Sequence, residues 1–199
     1  MSKQETKIAG YTYGTKEVAK SPVSLEELEE LKQTVTLTDE DICYLRMAGD
    51  VLEGQEHEVI DKWRGVIGAQ PHLAHYFVVP DGKPDEDYKA RVKERFARWV
   101  LDVCRRPYDR DWLDYQHEIG LRHTNLKKNK TDEASTPPQI PLRYLIAFTA
   151  VINDTIKPLL ASKENSVEEV EAMFRAWCKA ALLYVTMWSR ATLRKAIGR

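Results

Sequence analysis

The 199-residue sequence contains no run of about 18 consecutive apolar residues, so no segment reads as a membrane-spanning helix. Met1 to Lys7 are polar and charged and lack the apolar stretch of a secretory signal, which leads us to expect a soluble, cytoplasmic protein. No excess of one charge exists either. Thirty Lys and Arg against thirty-one Asp and Glu leave a net charge of -1, which gives no reason to expect nucleic acid or an anionic membrane as partner. Cysteine is scarce: Cys43, Cys104 and Cys178 lie far apart with no CxxC pair. That spacing argues against a zinc knuckle, a thioredoxin-type motif and an even disulfide framework, and predicts three separate buried thiols in a reducing compartment. Also missing are GxGxxG, GxxxxGK, GxSxG and HExxH, the minimum residue sets for nucleotide binding, serine hydrolysis and zinc proteolysis. No ExxH occurs, which removes a ferritin-like di-iron site.

What is present is helical period. A 43% hydrophobic content over this length supports one core, hence one domain, and no stretch alternates with period two. Residues 1–23 carry Gly10, Tyr11, Tyr13, Gly14 and Pro22 without helical spacing and read as an extension laid on the body or disordered. Ser24 caps a short helix bearing Leu25, Leu28 and Leu31. From Thr38 a stripe of Ile42, Leu45, Ala48, Leu52, Val59, Trp63 and Val66 follows, with Gly49, Gly54 and Gly65 as places where it could divide. Leu73 to Val79 reads as a corner or short helix. Val92, Phe96, Trp99, Val100 and Val103 form one face with Arg91, Arg95 and Arg98 beside it. Asp109 or Asp111 opens the next helix, in which Trp112, Gln116, Ile119 and His123 share a face. Lys127 to Pro138 reads as a solvated loop. Pro141 starts a helix that Pro158 kinks or shortens near its end, and Ser166 with Glu169 forms a capping box for the longest stripe, Val167 to Trp188. Six or more helices imply an all-α bundle or a globin-like packing, between which periodicity does not choose.

Five histidines are the remaining chemical candidates. His57 sits between Glu56 and Glu58 as a surface residue, His72 lies at a loop edge, and His75 in an aromatic segment is either packed or in a pocket. His117 and His123 are six residues apart, roughly 240° around a helix, so they do not face one metal together. His123 continues the Trp112 to Ile119 stripe toward the core. It is either a satisfied core histidine or a single axial ligand to haem iron, facing a cavity walled by residues such as Trp63, Phe77, Phe96, Leu145 and Ile152.

The runs WLDYQHEIGLRH at 112–123, YLRMAG at 44–49, RFARW at 95–99, RYLIAF at 143–148 and EEVEAMFRAW at 168–177, with GYTYG at 10–14, resemble the protoglobins over nearly the whole chain. The resemblance implies a globin fold with an N-terminal extension (1–23) and an extra N-terminal helix heading a globin domain (24–199). It also implies haem b and a homodimer built on the last two long helices. Position by position, it puts His123 on the proximal iron ligand, Arg95 against a haem propionate, and Phe96 and Phe77 on aromatic pocket walls. Trp63 falls on the distal helix, and Val92, Ile119, Leu145 and Ile152 complete the expected pocket. Arg64 stands where protoglobins commonly have Tyr, next to the distal Trp. The implied function is binding of diatomic gases, O2, CO or NO, at the free sixth position of the iron. The alternatives are a haem catalyst (peroxide activation, NO dioxygenation or carbene transfer) and a gas sensor acting through a separate partner.

Overall fold

The computed structural model of the chain describes residues 8–197, so the reading made on Met1 to Lys7 lies outside the described residues. Eight α-helices are present among them: α1 (Leu25–Thr34), α2 (Asp39–Leu52), α3 (Glu56–Ala69), α4 (Pro71–Ala74), α5 (Glu86–Arg105), α6 (Arg110–Arg122), α7 (Leu142–Leu160) and α8 (Val167–Ile197). A 3-10 turn, His75–Phe77, follows α4. The only extended pairing among the described residues is an isolated bridge between Val78 and Pro84.

Local chemistry sets the boundaries. The side chains of Ser24, Asp85 and Asp109 each accept a backbone N–H of the first turn of α1, α5 and α6. Thr38 with Asp41, and Ser166 with Glu169, close reciprocal capping boxes on α2 and α8. The long stripe from Thr38 divides once, at Gly54, whose φ of +88° is the left-handed conformation that stops a helix. Gly49 and Gly65 stay inside α2 and α3. Pro158 lies within α7, which runs on to Leu160.

Helix α8 packs against α2, α6 and α7, while α5 packs against α2 and α3. Between them lies an indole-rich core in which Trp63, Trp112 and Trp177 are fully buried. Two expectations fail here. Cys43 is exposed on α2, so only Cys104 is a buried thiol, with Cys178 half-buried; all three are free. The segment 127–138 is not solvated throughout, since Lys128, Asp132 and Thr136 are buried.

The lead from Ile8 to Val23 lies on α5 and α6 through side chains that hold its backbone. Arg122 donates to the Gly10 carbonyl and the Thr12 hydroxyl, Arg110 donates to the Ser21 and Val23 carbonyls, and Asp114 accepts the Ser21 N–H. The Tyr11 hydroxyl donates to Asp102 at 2.7 Å. Gly10 has φ +73°, and a Cβ there would fall 2.7 Å from the Arg95 guanidinium, so two constraints require glycine.

A third glycine fixes the distance between α6 and α8. A Cβ on Gly120 would sit 2.9 Å from the Ala191 Cβ and 3.1 Å from the Trp188 backbone. Gly120→Ala is therefore expected to push the helices apart and cost about 1–3 kcal/mol, the usual range for overpacking. Chemical denaturation checks the stability, and near-ultraviolet circular dichroism reports displacement of Trp188. A variant unchanged in both would show that this contact has slack.

Candidate functional site

A cavity of about 660 Å3 opens between α3, the 3-10 turn, α5, α6, α7 and α8. Its size falls in the range of small-molecule and cofactor sites. The walls are mostly apolar and aromatic: Phe77 from the turn, Val92 and Phe96 from α5, Ile119 from α6, Leu145 and Ile152 from α7. Arg64 reaches the cavity from α3 and Arg95 from α5.

His123 lines the same cavity from the end of α6. The local backbone explains its pose. At this last turn the His123 N–H bonds to the Gly120 carbonyl, three residues back, so the Ile119 carbonyl is left for another donor. The His123 ring takes it, with Nδ1 2.8 Å from that oxygen. Since a carbonyl only accepts, Nδ1 carries the proton, and the Nε2 lone pair is free to bind a metal. On one side the imidazole lies nearly parallel to the Trp188 indole, with centroids 5.5 Å apart and planes at 24°. Trp188 is itself fixed by donation from its Nε1 to Gln116 Oε1 at 3.0 Å. Burial, outweighing the bond to Ile119, lowers the His123 pKa to about 4, so the ring is neutral at physiological pH.

Trp63 does not take the expected place. Its indole points into the core, edge-on to Phe96 and Trp99 at 5.8 and 6.0 Å, and does not line the cavity. Successive residues on a helix are about 100° apart, so burial of Trp63 behind α3 turns its neighbour Arg64 toward the cavity instead. His75 is exposed, rests against Tyr76 and lies outside the cavity, and His57 is on the surface 3.7 Å from Glu94. Arg95 lines the cavity, but its guanidinium is held by both oxygens of Asp132 and by the Ala9 carbonyl.

Several wall residues were not expected from the sequence. Lys128, in the segment read as a loop, is buried, and its ammonium donates to the Tyr76 carbonyl at 3.0 Å and the Thr136 hydroxyl at 2.6 Å. Desolvation lowers its pKa to about 8. No carboxylate lies within ion-pairing distance of it among the described residues. Tyr11 reaches the wall from the lead, and Trp188 from α8, where its spacing marked it only as core.

These residues fit haem. No cluster of three or more His, Cys, Asp or Glu suited to a metal exists among the described residues, so His123 offers a single bond. A single bond suffices for an iron whose remaining equatorial ligands come from a porphyrin. The apolar walls suit the macrocycle, and Arg95 and Lys128 are basic residues on the same wall, Arg95 already paired with Asp132.

The comparisons agree with this fold. The family model described as Protoglobin matches residues 24–196, and the chain belongs to that family. The chain is similar to the globin domain of the Geobacter sulfurreducens globin-coupled sensor, with 16% identity and a TM-score of 0.65 over 83% of this chain and 97% of that one. It is also similar to the ferric globin domain of Escherichia coli DosC, with 15% identity and a TM-score of 0.62 over 81% of this chain and 97% of that one. At such identities the likeness establishes the globin fold. Comparison with curated proteins gives no match.

The pKa of His123 carries a pH dependence. Its folded value lies below the usual 6.5, so proton binding favours the unfolded chain. The stability it contributes is complete above about pH 6.5 and is lost as pH falls toward 4, amounting to about 3 kcal/mol. Urea denaturation of the haem-free protein at pH 7 and pH 4.5 should show this loss, and His123→Phe should remove a large part of it. An identical acid slope in parent and variant would mean that His123 is not desolvated.

Proposed function

We propose that this chain is a haem protein that takes up diatomic gases on the side of the haem opposite His123. The observation that carries this reading is the neutral imidazole at the cavity wall, with Nδ1 bonded to the Ile119 carbonyl and Nε2 unblocked. His123 would hold a bound haem through its iron, and that iron would supply the binding chemistry for O2, CO or NO. The Ile119 carbonyl and the Trp188 indole hold the ring in one tautomer and one plane, which sets its basicity as a ligand. Phe77, Val92, Phe96, Ile119, Leu145 and Ile152 exclude water from the macrocycle faces. Membership of the protoglobin family supports a haem of the b type.

Two further features belong to this reading. Ile146 on α7 and Val167 and Leu182 on α8 are half or more exposed, which supports a homodimer through these two helices. Three free thiols support a cytoplasmic location. A second reading, haem catalysis, is favoured by Arg64 alone, a cation on the cavity wall positioned to stabilise developing negative charge.

Absorption spectra of the purified, haem-reconstituted protein in ferric, ferrous and CO-bound forms test the main reading. His123→Ala is expected to lose the histidine-ligated ferrous spectrum and to regain part of it on adding imidazole. An unchanged spectrum in the variant would remove His123 as ligand.

Arg64 is tested through gas release. A charge-assisted hydrogen bond from its guanidinium contributes about 1.5–3 kcal/mol to a polarised ligand such as O2 and little to CO. Arg64→Leu should therefore speed O2 release about ten- to a hundred-fold at 1.4 kcal/mol per decade, and CO release much less. Equal changes for both gases would indicate altered access rather than a lost hydrogen bond.

A further inference from the structure

Charge on the cavity wall is not balanced. Its carboxylates, Asp61, Asp102 and Asp132, are each paired: to Lys93, to Arg98 and Arg106, and to Arg95. Of its cations, Lys89 is paired to Glu86 and Arg122 to Glu118. Two cations of the wall, Arg64 and Lys128, have no carboxylate at ion-pairing distance among the described residues. Arg64 is half-buried, so water still reaches it. Lys128 is 2% exposed, which is unusual because a lysine is almost never fully buried unless it is paired.

Two hydrogen bonds hold the Lys128 ammonium, to the Tyr76 carbonyl and the Thr136 hydroxyl, and both acceptors are neutral. The Asn129 Oδ1 stands 3.5 Å away, at the limit of a hydrogen bond, and is already taken by the Thr136 hydroxyl at 3.0 Å. The Tyr88 ring, 5.0 Å off, adds attraction without a counter-charge. Asp132 and Asp85 act on Lys128 only from beyond ion-pairing distance. An ammonium has three protons, so one is left without a close acceptor. Arg95 is in the opposite condition. Both oxygens of Asp132 take its guanidinium, at 2.9 and 2.5 Å, and the Ala9 carbonyl takes a third bond. Its charge is neutralised, and a second carboxylate brought to it would meet that of Asp132.

We propose that Lys128, and not Arg95, anchors a carboxylate side group of the porphyrin, so that the cavity takes porphyrins with free carboxylates and discriminates against their esters. This rests on the haem reading above. A carboxylate gives the third proton its acceptor and the buried charge its partner, and a charge-assisted hydrogen bond is about twice as strong as one between neutral groups. A planar ligand held only at its centre is free to turn about that bond. A second hold at its edge fixes the rotation, so Lys128 is a positioning residue for the macrocycle as well as a determinant of which porphyrin enters.

The test titrates iron-free protoporphyrin IX and its dimethyl ester into the haem-free protein and follows porphyrin fluorescence. Without iron there is no bond to His123, so the comparison reads the carboxylates alone. The parent is expected to bind the acid about ten- to a hundred-fold more tightly than the ester, the size of one charge-assisted hydrogen bond. Lys128→Met should lose most of that preference by weakening the acid while leaving the ester nearly unchanged. Lys128→Gln, which keeps donors for Tyr76 and Thr136 but no charge, should do the same, and it decides the matter if Lys128→Met does not fold. Acid and ester are compared on the same variant, so a general loosening of the fold cancels. An acid-to-ester ratio that is the same in parent and variant would overturn the anchor, as would a parent without preference. Failure of both haem and protoporphyrin to bind would overturn the functional reading and the anchor with it. Haem uptake through His123 with an unchanged ratio overturns the anchor alone.

Discussion

The bond from His123 Nδ1 to the Ile119 carbonyl is the interaction on which the site depends. It exists because α6 tightens in its last turn, where the His123 N–H turns to the Gly120 carbonyl and releases that of Ile119. His123 also anchors the segment between α6 and α7. Its carbonyl accepts the Ile140 N–H, so the chain leaves α6 at this point, makes its excursion through 124–139 and returns to the same residue before α7. Behind the ring, Gly120 lets α8 come close enough for Trp188 to lie against the imidazole. One helix end thus sets the tautomer, the plane and the surroundings of the only histidine that lines the cavity among the described residues.

A second constraint is electrostatic and holds the lead on the body. Asp102 is buried on α5, and it receives Arg98, Arg106 and the Tyr11 hydroxyl, while its backbone carbonyl takes the Tyr184 hydroxyl. Loss of Arg98 or Arg106 would leave the buried Asp102 carboxylate with less compensating charge, which costs more than a lost surface pair. Arg95 makes a similar bridge between the lead and the excursion, through Ala9 and Asp132. The cavity rim is therefore built by segments without helical period that are tied down by ion pairs.

That distinction explains what could be read from the sequence. Helices were legible because burial forces a period on them: the caps at Ser24 and Ser166, the start of a stripe at Thr38, the helix opening at Asp109, one of the two residues expected there, and the face from Trp112 to His123 stand where spacing puts them. Most of the apolar wall came from the same periods together with the protoglobin resemblance. Trp63 was misplaced because a stripe says that a residue faces inward, not whether it meets core or cavity; its indole lies against Trp99. Lys128 and Asp132 were read as solvated because charged residues without period resemble a loop, and only tertiary structure shows that a neighbouring carbonyl, a hydroxyl or Arg95 satisfies them. Cys43 was expected inside by residue type, yet α2 presents it to solvent.

A crystal structure of the haem-loaded chain tests the central claim most directly. The account requires the iron bonded to His123 Nε2, Nδ1 still donating to the Ile119 carbonyl, and Trp188 still parallel to the imidazole. Iron bound to another residue, or a His123 ring turned so that Nδ1 has left Ile119, would contradict it.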